Sequence, residues 1–263
     1  MKKQTVVLSF FLIYVLVFIA QSCQKPIRES DPEPDPDPDP IKTYVCDIDS
    51  NEYKVKQFGN TLWMMENLRV TRYDTKSPRS GDTVAIVINN QTIDVDRPYY
   101  RDGRENKESQ YTDNLTSEIR KSLGFLYNWC AATGVVENRV LVNDSIQGIC
   151  PNGWRLPITK DWDSLFYYLG GVEIAGKKLK SVYGWYQLSG SGTNESGLNC
   201  YPAGLAIAYN VALMGQQTMF WCSISHPLFS QGQVCRLFYN RDDAEMLYIN
   251  KFQANSVRCV KDL

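Results

Sequence analysis

Cysteine offers the most chemistry in this chain of 263 residues, because thiols can bind metals, carry redox reactions or form disulfides. The eight cysteines are Cys23, Cys46, Cys130, Cys150, Cys200, Cys222, Cys235 and Cys259. No two of them are spaced as C-x-x-C, so the pattern speaks against a zinc site and against a thioredoxin-like centre. In an exported chain, disulfides are the default fate of such cysteines.

The other chemistry-bearing residues point away from catalysis. A single histidine, His226, excludes most histidine-based metal sites and most hydrolytic triads. Aspartate and glutamate together number 29, so a carboxylate-pair glycosidase stays open as an alternative, but the spacing singles out no pair. The net charge of −1 gives no general basic face for nucleic acid. We therefore expect no catalytic residue and no nucleic-acid partner.

Two acidic segments have the composition of a calcium site. The segment 47–51 resembles the opening of an EF-hand loop, but Glu52 replaces the required glycine and Phe58 the required glutamate, so we interpret it as a hairpin turn. The better candidate for a structural calcium ion is the loop that contains Asn240, Asp242, Asp243 and Glu245. No other metal or cofactor is expected.

Residues 1–22 have the form of an export signal. Lys2 and Lys3 precede an apolar run from 6 to 20, which is slightly short for a membrane-spanning helix. The following Ala-Gln-Ser-Cys resembles a loose lipobox, whose Cys23 would become the lipid-modified N-terminus; an ordinary cleaved signal is the alternative. Several acyl chains on one cysteine anchor a protein firmly. We predict an outer-membrane lipoprotein of the cell envelope, exposed at the surface.

Residues 23–40 form the predicted stalk, whose second half alternates acidic residues with proline. Proline fixes the backbone and the acids repel one another, so the segment should be an extended, semi-rigid spacer. Its ten repeating residues would span roughly 30 Å at about 3.1 Å per residue. Calcium binding by the acids is the alternative, which the alternating prolines disfavour.

The predicted head, residues 41–263, begins with strands over 44–46 and 52–57. A further hairpin is expected from 83–88 and 92–95. The strongest helix signal follows Thr159, which could cap the helix, and Gly170-Gly171 ends it. Its apolar positions recur at i, i+3, i+4 and i+7, which predicts one buried face made of Trp162, Leu165, Phe166 and Leu169.

Three motifs carry a resemblance to a known family. They are Cys-Pro-Asn-Gly-Trp-Arg-Leu-Pro at 150–157, Gly-Asn-Thr-Leu-Trp-Met-Met-Glu-Asn-Leu at 59–68, and Val-Arg-Cys-Val at 257–260. In these motifs the chain resembles the Fibrobacter succinogenes major paralogous domain, found in secreted and surface proteins. The resemblance implies an α+β, C-type-lectin-like domain of twisted antiparallel strands, two short helices and long loops. Glu66 in the second motif is interpreted as a buried hydrogen-bond anchor in preference to a site residue.

The resemblance also implies a disulfide between Cys150 and Cys259. Cys222 and Cys235 lie on two strands that we expect to be neighbours, and they could form a second bridge. Formylglycine-generating enzymes, to which the fold would be related, use a closely spaced pair of reactive cysteines near the C-terminus. Here the nearest spacing, from 222 to 235, is too long for that oxidase chemistry.

Binding is the function that these features favour. Aromatic rings stack on sugars and supply contact area at low entropic cost. The candidate binding residues are Tyr99, Tyr100, Trp185, Tyr186 and Tyr239, with Tyr183 and Tyr209 beside them. The Glu-Pro-Asn and Trp-Asn-Asp motifs of calcium-dependent lectins are absent. The sequence thus predicts non-catalytic recognition of a glycan or a surface macromolecule; the alternatives are an assembly component of a surface complex and a carbohydrate-active enzyme.

Overall fold

The computed structural model describes residues 44–77, 79–86, 97–102, 116–135, 141, 145–186, 192–207, 210–226 and 230–263. The predicted export signal, Cys23 and stalk therefore lie outside the described residues, as do Tyr209 and the hairpin arm at 92–95.

Short strands dominate the described part of the head. They are β1 (Tyr44–Cys46), β2 (Glu52–Phe58), β3 (Thr61–Met64), β4 (Ala85–Ile86), β5 (Tyr99–Asp102), β6 (Phe125–Tyr127), β7 (Leu205–Ile207), β8 (Asn210–Ala212), β9 (Gln217–Ser225), β10 (Gln231–Phe238), β11 (Ala244–Asn250) and β12 (Val260–Asp262). The helices are α1 (Ser117–Ser122), α2 (Trp129–Thr133), α3 (Thr159–Tyr168) and α4 (Val172–Leu179). This composition confirms a mixed α+β domain, with more helices than the two that the sequence predicted.

The first sheet has the strand order β1-β2-β3-β12. Its β1–β2 hairpin turns where the sequence predicted, around a carboxylate that fixes the turn: Asp47 accepts hydrogen bonds from the backbone N–H of Asp49 and of Asn51, both at 2.9 Å. The Tyr53 hydroxyl donates to the same carboxylate at 2.7 Å. The acidic segment is thus a hairpin turn, held by hydrogen bonds to the Asp47 carboxylate.

The second sheet is antiparallel with the order β11-β10-β9, and every residue of β9 is buried. The prediction that segments 220–223 and 234–237 lie on adjacent strands is confirmed. The motif at 257–260 leads into the last strand, β12, which does not belong to this sheet. Val260 instead pairs with Trp63 of β3 and exchanges two backbone hydrogen bonds with Arg155, both at 2.9 Å. The last strand therefore joins the first sheet to the motif segment before α3.

Helix α3 buries the face that its periodicity predicted, because Trp162, Leu165, Phe166 and Leu169 all lie in one hydrophobic cluster. The ring of Trp162 packs edge-on against Trp63, with centroids 4.7 Å apart. Thr159 is not the cap: its hydroxyl donates to the Gln233 side chain at 2.6 Å. The Asp161 carboxylate caps the helix by accepting from the Ile158 N–H at 2.7 Å. None of the helices in the described part of the chain has the length and apolarity needed to cross a bilayer.

Candidate functional site

An open cleft of about 920 Å³ lies where three elements meet: the β2–β3 turn, helix α3 and strand β12. Clefts of this size are common binding sites. The described residues that line it are Phe58, Gly59, Asn60, Thr61, Arg155, Ile158, Lys160, Asp161, Asp163, Ser164, Tyr167, Tyr168, Asp262 and Leu263. The family-like segment 150–157 contributes Arg155, so the cleft adjoins the strongest sequence motif of the chain.

The outer face of α3 forms one wall of the cleft. Because α3 buries its apolar stripe, the remaining positions of each turn face outward, and they are Lys160, Asp163, Ser164, Tyr167 and Tyr168. Tyr167 is 88% exposed and Tyr168 62% exposed. The Tyr168 ring packs edge-on against Phe58 with centroids 5.3 Å apart, which fixes one of the two rings. This wall thus presents two aromatic rings beside hydroxyl, carboxylate and ammonium groups.

Arg155 links the motif to both ends of the cleft. Its two Nη atoms donate to the two carboxylate oxygens of Asp161, at 2.6 and 3.0 Å. Its Nε and Nη2 donate to the carboxylate of Asp262, at 2.9 and 2.5 Å. A fifth bond runs from Nη1 to the carbonyl of Leu156 at 3.2 Å. The guanidinium therefore ties the start of α3 to β12.

These contacts set the protonation of the site. Burial lowers the pKa of Arg155, but the hydrogen bonds and charges of Asp161 and Asp262 outweigh burial, so its pKa rises. The bonds from Arg155 in turn lower the pKa of Asp262, against a smaller opposing effect of burial. The arginine and this carboxylate are therefore both charged at neutral pH, and the bridge persists there.

Three of the predicted binding aromatics are framework residues instead. Tyr99, Tyr100 and Trp185 are at most 9% exposed, so they present no ring face to a ligand. Tyr100 stacks on Phe125 with centroids 4.6 Å apart. The indole N–H of Trp185 donates to the Ser181 hydroxyl at 3.2 Å. Their strands and loops pack inward, which tyrosine and tryptophan content by itself does not reveal.

The structure does bring Tyr186 and Tyr239 together at the surface. Their rings meet edge-on with centroids 5.8 Å apart. The backbone N–H of Tyr186 donates to Gly215 at 2.6 Å, and that of Tyr239 donates to Gln216 at 2.7 Å. Tyr183 nearby in sequence is also well exposed. Tyr186 is 45% exposed whereas Tyr239 is partly buried against the core, so the pair presents one open ring at the surface, outside the cleft.

Of the two cysteine pairs expected, the structure contains one. Cys150 and Cys259 form a disulfide with Cα atoms 5.9 Å apart. The bridge between Cys222 and Cys235 is absent, and both are free thiols in the core. The strand register explains this: Cys235 lies opposite Phe220, so Cys222 stands one diagonal position away on the same face.

The acidic loop considered for calcium is neutralised by the chain itself. Asp243 and Glu245 both pair with Arg241, and Glu245 also pairs with Arg236. Asp242 lies 3.5 Å from the ammonium of Lys177. Across the described residues, no group of three or more histidine, cysteine or acidic side chains is placed to hold a metal ion.

Glu66 is half-buried and pairs with Arg69 at 3.1 Å. The buried anchor of its motif is the neighbouring Asn67, whose side-chain N–H₂ donates to the Leu123 carbonyl at 3.0 Å. The Asn67 oxygen accepts from Arg258 at 2.8 Å. The motif at 59–68 is thus joined to the last motif, at 257–260, through polar side chains.

The sequence prediction missed Tyr167 and Tyr168, the best-exposed rings of the cleft. A signal for them existed: they stand five and six positions after Trp162, which places them opposite the predicted buried face.

A sequence model of the Fibrobacter succinogenes major domain matches residues 57–261, a range that contains the three motifs at 59–68, 150–157 and 257–260. The chain belongs to that family. No curated protein and no solved structure matches it.

Proposed function

We propose that this protein is a cell-surface lipoprotein whose head binds a glycan at the α3 cleft without catalysis. One observation carries the proposal: Tyr167 and Tyr168 stand exposed on a rigid helix that forms one wall of an open cleft. Large exposed apolar side chains that line a concave surface are typical of recognition sites.

The composition of the cleft suits a sugar. Aromatic faces cover the apolar face of a pyranose ring, while short polar side chains bind its hydroxyl groups. Asn60, Ser164 and Asp163 supply such groups around the two tyrosines. The Arg155 bridge holds α3 and β12 together, so little ordering is required on binding.

The location is part of the same proposal. The segment 1–22 directs export, Cys23 carries the lipid, and the acidic proline stalk separates the head from the outer membrane. A C-type-lectin-like arrangement of the head is likewise proposed, on the strength of the family-like motifs. Replacing Cys23 by serine is expected to release the protein from the membrane fraction, and incorporation of labelled palmitate into the wild type alone would support the anchor.

A second candidate function is assembly with another surface protein. The ring of Tyr186 is 45% exposed and meets the partly buried ring of Tyr239 edge-on. Tyr183, three positions before Tyr186, is 72% exposed, so this part of the surface offers aromatic side chains for such a contact. Stable co-purification of one envelope protein, lost on replacing Tyr186 by alanine, would favour this role.

The glycan proposal is tested with the full-length protein on a panel of soluble polysaccharides, with and without chelator. Tyr167→Ala and Tyr168→Ala should each weaken binding about fivefold if a stacked ring contributes about 1 kcal/mol. The matched control is Tyr44→Ala, because Tyr44 is 53% exposed and lies outside the cleft. Binding unchanged in both cleft variants would reject this site, and no binding across the panel would reject the function. Loss of binding on adding chelator would show that binding requires a metal ion, and that would contradict the metal-free site proposed here.

A further inference from the structure

We infer that the α3 cleft selects uncharged glycans over acidic ones, an inference that rests on the proposed glycan binding. Acidic polysaccharides carry carboxylate or sulfate groups, and proteins bind these with free guanidinium or ammonium groups. Binding of an acidic glycan therefore requires a cationic side chain of the cleft whose N–H groups are not already bound within the chain.

The central cation of the cleft is fully used. A guanidinium has five N–H groups. In Arg155 the Nε donates once, to Asp262. Nη1 donates to Asp161 and to the Leu156 carbonyl, and Nη2 donates to Asp161 and Asp262. All five donors have acceptors within the chain, so an incoming carboxylate would have to displace the Asp161 carboxylate, the Asp262 carboxylate or the Leu156 carbonyl.

The exposed charges of the cleft favour the same selection. Asp163 lies on the outer face of α3, and the Asp262 side chain is 67% exposed although it contacts Arg155. Lys160 is the one exposed ammonium among the described residues of the lining. The charged side chains of that lining are Arg155 and Lys160 against Asp161, Asp163 and Asp262, two positive and three negative, so the net charge is −1.

The cleft also has hydrogen-bonding groups that can bind a ligand without charge. The Asn60 side chain can donate and accept. The Ser164 hydroxyl donates to the Lys160 carbonyl at 2.8 Å and can still accept, and carboxylates such as Asp163 accept from hydroxyl groups. A neutral sugar therefore satisfies the wall of the cleft without any ionic contact. An acidic sugar gains the same contacts and in addition meets two exposed carboxylates.

The test compares polymers that share a backbone and differ in charge: hydroxyethylcellulose against carboxymethylcellulose, and fully methyl-esterified polygalacturonate against polygalacturonate. The full-length protein should bind the neutral member at least about tenfold more tightly at low salt. The difference should shrink as salt rises from about 20 to about 300 mM, because exposed charges are screened. Neutral binding itself should be independent of salt.

Asp163→Lys should raise affinity for the acidic member, and Asp163→Asn should do so to a smaller extent. Glu173→Lys is the matched control, because Glu173 is exposed on α4 outside the cleft and its reversal changes the net charge equally. Tighter wild-type binding of the acidic polymers at low salt would overturn the inference and leave glycan binding intact. An equal gain in affinity for the acidic polymer in Glu173→Lys would also overturn the inference, because the gain would then come from the net charge of the protein and not from the cleft. Absence of binding to all four polymers, with folding confirmed by circular dichroism, would reject glycan binding and the inference together.

Discussion

Arg155 and Asp161 form a two-point ion pair at the start of α3, with Nη1–Oδ2 and Nη2–Oδ1 separations of 2.6 and 3.0 Å. Their side chains are only 12% and 8% exposed. Asp161 also accepts the backbone N–H of Ile158, so a single carboxylate caps the helix and orients the arginine that reaches β12. The cleft depends on this one junction.

Asp161→Ala should therefore lower the free energy of unfolding by about 3 kcal/mol, because it leaves a largely buried guanidinium partly unpaired and removes the cap. Urea titration followed by tryptophan fluorescence measures the change. Asp163→Ala, two positions along the same helix but exposed, should change it by less than about 0.5 kcal/mol. Equal effects in the two variants would contradict the importance of the ion pair.

The Cys150–Cys259 disulfide closes a sequence separation of 109 residues. A cross-link over such a loop stabilises a protein by about 4–5 kcal/mol in the chain-entropy model. The double variant Cys150→Ser with Cys259→Ser should show that loss, and reductant should then have no further effect on it. Peptide mapping without reductant should recover the two cysteines as one linked fragment in the wild type. Recovery of both as free thiols would refute the bridge.

The thiols of Cys200, Cys222 and Cys235 should be unreactive in the folded protein. All three are buried, and burial raises the pKa of each thiol above its usual value. The thiolate is the reactive form, so alkylation at pH 8 should be negligible until urea unfolds the chain. Mass spectrometry of the corresponding peptides before and after unfolding measures this. Rapid native labelling of any one of the three would show that its strand opens readily.

Asp49 should contribute to acid unfolding. Burial, the largest single effect, raises its pKa, but hydrogen bonds donated by Thr71 and Arg72 together outweigh it, and the pKa falls. The stabilisation is therefore present above the unfolded pKa of about 3.9 and is lost as the pH falls through the lower folded value. The free energy of unfolding should decline less steeply below about pH 4 in Asp49→Asn than in the wild type. Asp163→Asn serves as the control. If the free energy of unfolding fell with pH equally steeply in the wild type and in Asp49→Asn, the role of Asp49 in acid unfolding would be rejected.

Gly176→Ala should destabilise the protein although alanine is the better helix former by about 1 kcal/mol. Gly176 lies inside α4, and a Cβ there would collide with the carbonyl oxygen of Asp243 in the turn before β11. The helix and the turn would have to move apart, which should lower the free energy of unfolding by about 1–3 kcal/mol. Glu173→Ala at an exposed position of the same helix is the comparison for helix propensity. A higher thermal midpoint for Gly176→Ala would show that the turn before β11 moves to accommodate the added Cβ at little cost, which would contradict the prediction.

The sequence by itself determined the local features of this protein. The periodicity of α3, the β1–β2 turn and the motif at 150–157 depend on residues close together in the chain, and simple spacing rules describe them. Family resemblance extended this to the Cys150–Cys259 bridge, which lies beyond any spacing rule.

Only the tertiary structure decided which polar and aromatic side chains are buried. Lys180 comes directly after α4 and close to Lys177 and Lys178, neither of which is buried. Lys180 is nevertheless buried, and its ammonium donates to the Arg241 carbonyl at 2.8 Å. Tyr99 is enclosed whereas Tyr167 is exposed, although both are tyrosines in ordered elements. Burial is set by which distant segments cover a residue, and strand register between remote segments does not follow from local pattern. The same dependence on register kept Cys222 and Cys235 apart and assembled the cleft from residues about a hundred positions distant.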